Sequence, residues 1–245
     1  MESIEIWKQI FRGKGIEAKV GERIFSYPAN KNWWSRSGEP ENMPPFEPGG
    51  PDSEVFYDFG KELMLHEKSV YKNQQCHPNC SCGRYLEIGN SVFMQYQKQV
   101  NGSLKELPQK NVDFGGGLER MLAATNNNPD VFQTYLYSGV IETIYQVSGK
   151  NYKENKNLAS IRIIAYHLKA ATFIVAEGIE PSNKQQGYLL RRLLRRAAIK
   201  MRLLTKAPTT EQQFLPIIKS VIKTYEGTTY FIYTNINAIE KIIGS

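Results

Sequence analysis

The chain has 245 residues, 41% hydrophobic and 22% charged, enough for one large or two modest domains with a buried core. Its three cysteines all fall within residues 76–82 and its N-terminus is acidic with no apolar stretch, which excludes a secreted disulfide framework and a secretory signal; no apolar run approaches the roughly 20 residues of a bilayer span, so a cytoplasmic protein with no membrane partner is expected. The net charge of +7 is uneven: residues 1–149 hold 15 Lys/Arg against 18 Asp/Glu and residues 150–245 hold 16 against 6, so a polyanion is the expected partner of the second half.

Ile4, Trp7, Ile10 and Phe11 recur at helical spacing in residues 1–25. Residues 35–53 read as a long irregular loop, because five prolines and Gly49-Gly50 exclude regular structure there. A strand is expected over Ser53–Phe59 and a longer one over Arg84–Tyr96. With a short strand at 111–114 they would share one sheet, most simply antiparallel.

Between the two longer strands lies Cys76-His77-Pro78-Asn79-Cys80-Ser81-Cys82. Three thiols and a histidine in seven residues could bind zinc, with His66 as a fourth ligand. The C-x₃-C-x-C spacing departs from the usual finger patterns, and adjacent Cys76 and His77 would chelate awkwardly. Free thiols in a loop are the competing reading, and no metal ligand is assigned firmly.

Asn111 to Arg120 reads as a short strand, a triple-glycine turn and a helix opening. Such a junction brings bare backbone and a helix N-terminus up to a ligand. Asp113 closes the strand and can hold a cation; Arg120, in the first helical turn, can grip a phosphate. That pairing suits an enzyme that joins an amino acid to ATP. The competing reading is a plain glycine turn with a surface arginine.

After Asn128 the chain turns helical. Val131, Leu136, Val140, Ile141, Ile144 and Val147 follow one 3.6-residue period, and Ile161, Ile164, Leu168, Ala171 and Val175 another, with a linker over 149–157. The domain boundary is placed within 126–157. Residues 187–205 form an amphipathic helix with Leu190, Leu193, Leu194, Ala197, Met201 and Leu204 on one face and Arg191, Arg192, Arg195, Arg196 and Arg202 on another. Arginines so close repel one another unless an anion neutralises them, which favours a phosphate-backbone contact over a solvated face. A last helix is expected to start at Thr210, where Thr210 and Gln213 have capping-box spacing.

Four stretches taken together resemble the alanyl-tRNA synthetases, a family of class II aminoacyl-tRNA synthetases. They are Asn32-Trp33-Trp34 with Gly50 to Asp58, Arg84 to Gln95, Val112 to Arg120, and Ile161 to Ala165 running through Pro181-Ser182-Asn183 to Gly187-Tyr188 and the double Arg-Arg. The resemblance implies an α+β fold: part of a class II antiparallel sheet in residues 1–128, as the C-terminal part of a catalytic domain, then a truncated all-helical tRNA-recognition domain in residues 129–245. It implies alanine, ATP, Mg²⁺ and tRNA(Ala) as substrates, cofactor and partners. Val112 to Arg120 is similar to the family's motif three, with Arg120 on the ATP γ-phosphate beside Gly117, and Asp113 on the alanine ammonium. Asn90, Val92, Trp34 and Gly115 would line the alanine pocket. Glu87, three residues before Asn90, would face ATP and magnesium, a hard cation that prefers oxygen ligands. The family's helical domain reads a G·U pair in the acceptor stem from the minor groove; Gln185 stands where the family often has Asn, and Arg196 matches an arginine of the same recognition helix, with Arg191, Arg192 and Arg195 beside it as tRNA-binding residues.

The departures shape the expectation further. Nothing like the family's motifs one and two is found, so the chain is expected to be incomplete, to need the missing N-terminal part as a partner, and alone to be inactive. Tyr135 and Tyr166 stand where the family usually has Asp. The expected function is that of an alanine–tRNA ligase fragment. The alternatives are a non-catalytic tRNA-binding remnant or paralogue, and a zinc-stapled interaction module.

Overall fold

The computed structural model describes residues 2–229 and 236–244. The chain divides into two compact units, Met1–Pro129 and Asp130–Ser245. The first holds α1 (Glu2–Arg12), β1 (Trp33–Ser35), β2 (Pro48–Asp58), β3 (Tyr85–Lys98), β4 (Leu104–Gly116) and α2 (Leu118–Thr125). The second holds α3 (Tyr135–Ser148), α4 (Asn155–Ala176), α5 (Gln185–Thr205), α6 (Glu211–Thr224) and α7 (Ile236–Gly244). This is the α+β class expected from the sequence, with an all-antiparallel sheet in the order β1-β2-β3-β4.

The expected loop over 35–53 is corrected at its end: β2 starts at Pro48, and Pro51 lies within it, opposite Trp33 of β1. A shift in the β2–β3 register between Gly49 and Asp52 accommodates Pro51, which has no amide to donate. Gly50 is required there, because a Cβ at that position would sit 1.7 Å from the Phe93 carbonyl oxygen. The strand expected over 111–114 is also longer. It begins at Leu104, and its register with β3 breaks between Met94 and Tyr96, across the Pro108 segment. The triple-glycine turn is not found. Gly115 and Gly116 continue β4, opposite Asn90 and Gly89, and only Gly117 leaves the strand, as the N-cap of α2 at φ −87°. Asp113 therefore lies inside the strand, not at its end.

In the second unit, Val131 belongs to a 3-10 turn rather than to α3. Asp130 Oδ1 accepts the Phe132 amide there at 3.1 Å, an Asx cap that diverts the chain before the helix begins. The Asp130 carboxylate also receives Tyr152 Oη at 2.7 Å and Arg162 Nη2 at 2.9 Å. Arg162 itself lies over the Phe132 and Tyr152 rings. α6 starts as expected, with the Thr210 amide donating to Gln213 Oε1 at 3.1 Å, but α7 follows it, so α6 is not the last helix.

α4 amends the reading that no apolar segment reaches the length of a bilayer span, for its 22 residues pass that test by length and composition. Its apolar face is used inside the unit: Ile161, Ile164, Ala165, Leu168, Ala171 and Val175 are buried, and α4 packs on α3, α5, α6 and α7. Lys169, on this same helix, is 6% exposed. Its ammonium lies 4.5 Å from the centre of the Tyr137 ring and 5.2 Å from that of Tyr225, so two π-faces replace part of its hydration.

Two of the sheet's glycines predict opposite outcomes. Gly50→Ala should cost more than about 3 kcal/mol in urea denaturation, because backbone must move. Gly115→Ala, whose Cβ would meet nothing within 4 Å, should stay within about 0.5 kcal/mol of the parent chain.

Candidate functional site

Strand register assembles the first cluster. Asp52 pairs with Val92 and Glu54 with Asn90 across β2–β3; Val92 pairs with Asp113 and Asn90 with Gly115 across β3–β4. Directly opposed residues share a face, and so do residues two apart. One face thus carries Asp52, Glu54, Asn90, Val92, Asp113 and Gly115. Trp34, opposite Gly50 on β1, joins the same row and is 44% exposed.

Glu87 stands three residues before Asn90, which in a regular strand would aim it at the other face. The register jumps between Val55–Gly89 and Phe56–Glu87, leaving Ile88 unpaired. This bulge returns Glu87 to the Asn90 face, opposite Phe56.

The polar contacts follow. Asn90 Nδ2 donates to Asp52 Oδ2 at 3.1 Å and to Glu54 Oε1 at 3.3 Å, and Asn32 Nδ2 donates to Asp52 Oδ1 at 3.3 Å. Asn90 Oδ1 is buried with no partner among the described residues, an acceptor left for a ligand donor. Burial, with the charges of Glu87 and Asp52 behind it, pushes the Glu54 carboxyl up to about 7. A half-buried row of acids with one member held near neutrality is chemically fit for a cation.

Arg120 Nη1 donates to Glu87 Oε2 at 2.9 Å and to the Glu87 carbonyl at 3.2 Å. Gly117 permits that approach, since a Cβ there would meet the Arg120 stem at 3.0–3.2 Å. Asp113 is exposed and faces the row from the β4 side. The residues expected at the site are therefore gathered on one face or hydrogen-bonded to it. Sequence reasoning gave no role to Asp52, Glu54 or Asn32. Their signal was the Asp-x-Glu alternation on a strand, which places both acids on one face.

The second cluster is on α5. Arg192, Arg195, Arg196 and Arg202 are exposed and Arg191 is half-buried. Among the described residues none of these five is in an ion pair. Tyr188 is 44% exposed and lies under both Arg191 and Arg192, each 5.7 Å from its ring centre. Arg191 also donates to Asn183 Oδ1. Gly187 seats the preceding turn: its carbonyl accepts the Ser182 amide at 3.0 Å, and a Cβ would lie 2.5 Å from the Glu180 carbonyl oxygen. Gln185 opens the helix exposed and at φ 46°, a left-handed conformation that side chains rarely adopt. His167, on α4, is held below its ordinary value by burial first and then by the Arg196 charge. Tyr135 and Tyr166 are exposed, and nothing in the structure explains either in place of Asp.

The family described as tRNA synthetases class II (A) matches residues 2–245. The chain is similar to the alanine–tRNA ligase of Petrotoga mobilis, 37% identical over 91% of this chain and 24% of that protein. It is similar also to those of Treponema denticola, 41% identical over 80% and 30%, and Clostridioides difficile, 34% identical over 98% and 26%. The chain thus spans less than a third of the length of these relatives.

Glu54 sets a pH dependence. Its folded-state value of about 7 lies above its ordinary 4.5. Below pH 4.5 both states are protonated and the group costs nothing; above 7 the full penalty of ionising it in the fold is present. Stability should therefore fall as pH rises from 4.5 to 7, and Glu54→Gln should flatten that decline. Carbon-13 NMR should place the carboxyl midpoint near 7, and a midpoint near 4.5 would contradict the geometry.

Proposed function

The chain belongs to the family of class II (A) tRNA synthetases, and from this premise we propose that it carries part of an alanine–tRNA ligase, which activates alanine with ATP and passes it to tRNA. The observation that supports the reading is the single sheet face that carries Asp52, Glu54, Asn90, Val92 and Asp113 together, with Arg120 of α2 hydrogen-bonded to Glu87 beside it.

In this reading Asp113 takes the alanine ammonium and Asn90 Oδ1 supplies the second acceptor. Val92, Trp34 and Gly115 frame the side chain, and the open space above Gly115 leaves room for the amino acid. Arg120, next to Gly117, takes the γ-phosphate of ATP. Glu87, supported by Glu54 and Asp52, fits Mg²⁺ as an oxygen ligand, and a bound Mg²⁺ would neutralise charge on the phosphates. Because Arg120 is paired with Glu87, ATP would compete for it: Arg120 would turn its fork to phosphate, and the freed Glu87 carboxylate would be available to hold Mg²⁺. An exposed ion pair of this kind is worth little, so the exchange is cheap. The alanine carboxylate then attacks the α-phosphate in line and pyrophosphate leaves. The side chains position and neutralise; none acts as a nucleophile.

On α5, Arg191, Arg192, Arg195 and Arg196 take phosphates of tRNA(Ala), and the Gln185 amide reaches a base edge of the acceptor stem. The strained backbone at Gln185 supports a functional reading, because such conformations persist where the surrounding fold imposes them.

Calorimetry on the 245-residue chain tests the site. Asp113→Asn should weaken alanine by about 1.5–3 kcal/mol, roughly 10- to 150-fold, through loss of a charge-assisted bond. Arg120→Ala should weaken ATP and leave alanine unchanged. An Arg120 effect confined to alanine would reverse the roles, and RNA binding with no aminoacylation once the missing N-terminal part is supplied would favour a non-catalytic tRNA-binding protein.

Filter binding across salt tests the helix. Affinity should fall steeply with salt through counterion release. Arg192→Ala with Arg195→Ala should flatten the slope by about one unit per lost contact. Gln185→Ala should instead erode the preference for a G·U over a G·C stem, and equal loss on both stems would remove the base-edge role.

A further inference from the structure

Residues 61–84 connect β2 to β3 with neither helix nor strand, an unusually long excursion for a compact unit. Its base is closed. Arg84 Nε and Nη2 donate to the two carboxylate oxygens of Asp58 at 2.7 and 2.6 Å, and the Phe59 amide donates to the Arg84 carbonyl at 3.0 Å. Beyond that closure no apolar core is built: Leu63, Met64 and Val70 are exposed. The only buried residues in the segment are His66, Cys80 and Cys82, at 7, 8 and 9% exposure. A loop that buries only an imidazole and two thiols gains little from the hydrophobic effect, so its order needs another source.

The geometry of those groups supplies one. One ligand atom from each of His66, Cys80 and Cys82 lies within 4.8 Å of the others. Cys80 Sγ is 3.6 Å from His66 Nδ1, and Cys76 Sγ is 3.9 Å from Cys82 Sγ. Tetrahedral zinc, with Zn–S about 2.3 Å and Zn–N about 2.0 Å, spaces its ligands at about 3.8 Å for S···S and about 3.5 Å for S···N. His66 Nε2 lies 3.0 Å from the Gln74 carbonyl. A proton on Nε2 leaves Nδ1 as the lone-pair nitrogen facing the thiols, the arrangement that orients metal-binding histidines. His77 Nδ1 is instead 2.8 Å from the Tyr27 hydroxyl. The awkward adjacency of Cys76 and His77 is thereby removed, since His66 stands in for His77.

We propose that His66 Nδ1 and the Sγ atoms of Cys76, Cys80 and Cys82 hold a structural zinc ion that staples the 61–84 segment. The donor set is a closed Cys₃His shell with no open position, so the ion is structural rather than catalytic. It binds as thiolates form, and the released protons pass to solvent.

Elemental analysis of the purified, reduced 245-residue chain should give one zinc per chain. Cobalt substitution should give the thiolate-to-metal absorption of a tetrahedral site. Cys80→Ser and His66→Ala should lose the metal and open residues 61–84 to protease, whereas His77→Ala should keep it. Native chain with three freely titrating thiols and no bound metal would overturn the proposal, as would a Cys76–Cys82 disulfide in the unreduced mass spectrum. Metal loss in His77→Ala but not in His66→Ala would overturn the ligand set. If the variants fail to fold, cobalt titration of the unsubstituted apo chain decides: a spectrum without thiolate absorption rejects the site.

Discussion

Asp52, Glu54 and Glu87 are carried onto one sheet face by two hydrogen-bonded strands, and their mutual repulsion decides what the rest of the site must be. Burial first, then the charges of Glu87 and Asp52, keeps the Glu54 carboxyl from ionising freely. The fold answers in three ways. It holds Glu54 near neutrality, spans two of the acids with the Asn90 amide, and draws Arg120 across to the third. Each answer is partial, and each can be displaced by an incoming cation or phosphate. A face that is over-supplied with negative charge and loosely compensated is prepared for ligands that bring their own charges.

The helical unit treats its cations by the opposite rule. Arg162 of α4 is held by Asp130 and lies over the Phe132 ring, and Lys169 is enclosed by the Tyr137 and Tyr225 rings. The arginines of α5 point outward, with Tyr188 as a flat platform under two of them. Buried packing residues and outward arginines are thus separated by helix face. Leu190, Ala197, Met201 and Leu204 are buried in the bundle, so changes among the outward arginines leave the core untouched.

The sheet and the major helices were legible because their patterns are periodic and strong. Alternation marked β3, and one apolar stripe marked α5. The Thr210–Gln213 spacing marked the start of α6 because that cap is local chemistry. What escaped was non-local. The bulge at Ile88, which turns Glu87 toward Asn90, depends on how β2 lies beside β3, and no single-strand pattern encodes it. The prolines at 48 and 51 argued for a loop, and tertiary pairing to β1 and β3 overrode them. Asp52 fell in the expected loop and only Glu54 in the expected strand, so their shared face and their electrostatic coupling to Glu87 both required the register. Cysteine spacing pointed to the right segment, while the choice of His66 over His77 rests on the Tyr27 hydroxyl, fifty residues away in sequence.

Lys169 has a consequence for how the helical unit can be observed. Its amine is enclosed between rings contributed by α3 and by the end of α6, while most lysines of the chain are open to water. An acylating reagent supplied in excess would modify the open lysines at once, but would reach Lys169 only when those helices part. The rate at which that one position accumulates label is then a clock for the opening of the bundle. Because Tyr137 and Tyr225 close on it from separate helices, the clock reports a cooperative event rather than fraying at one end.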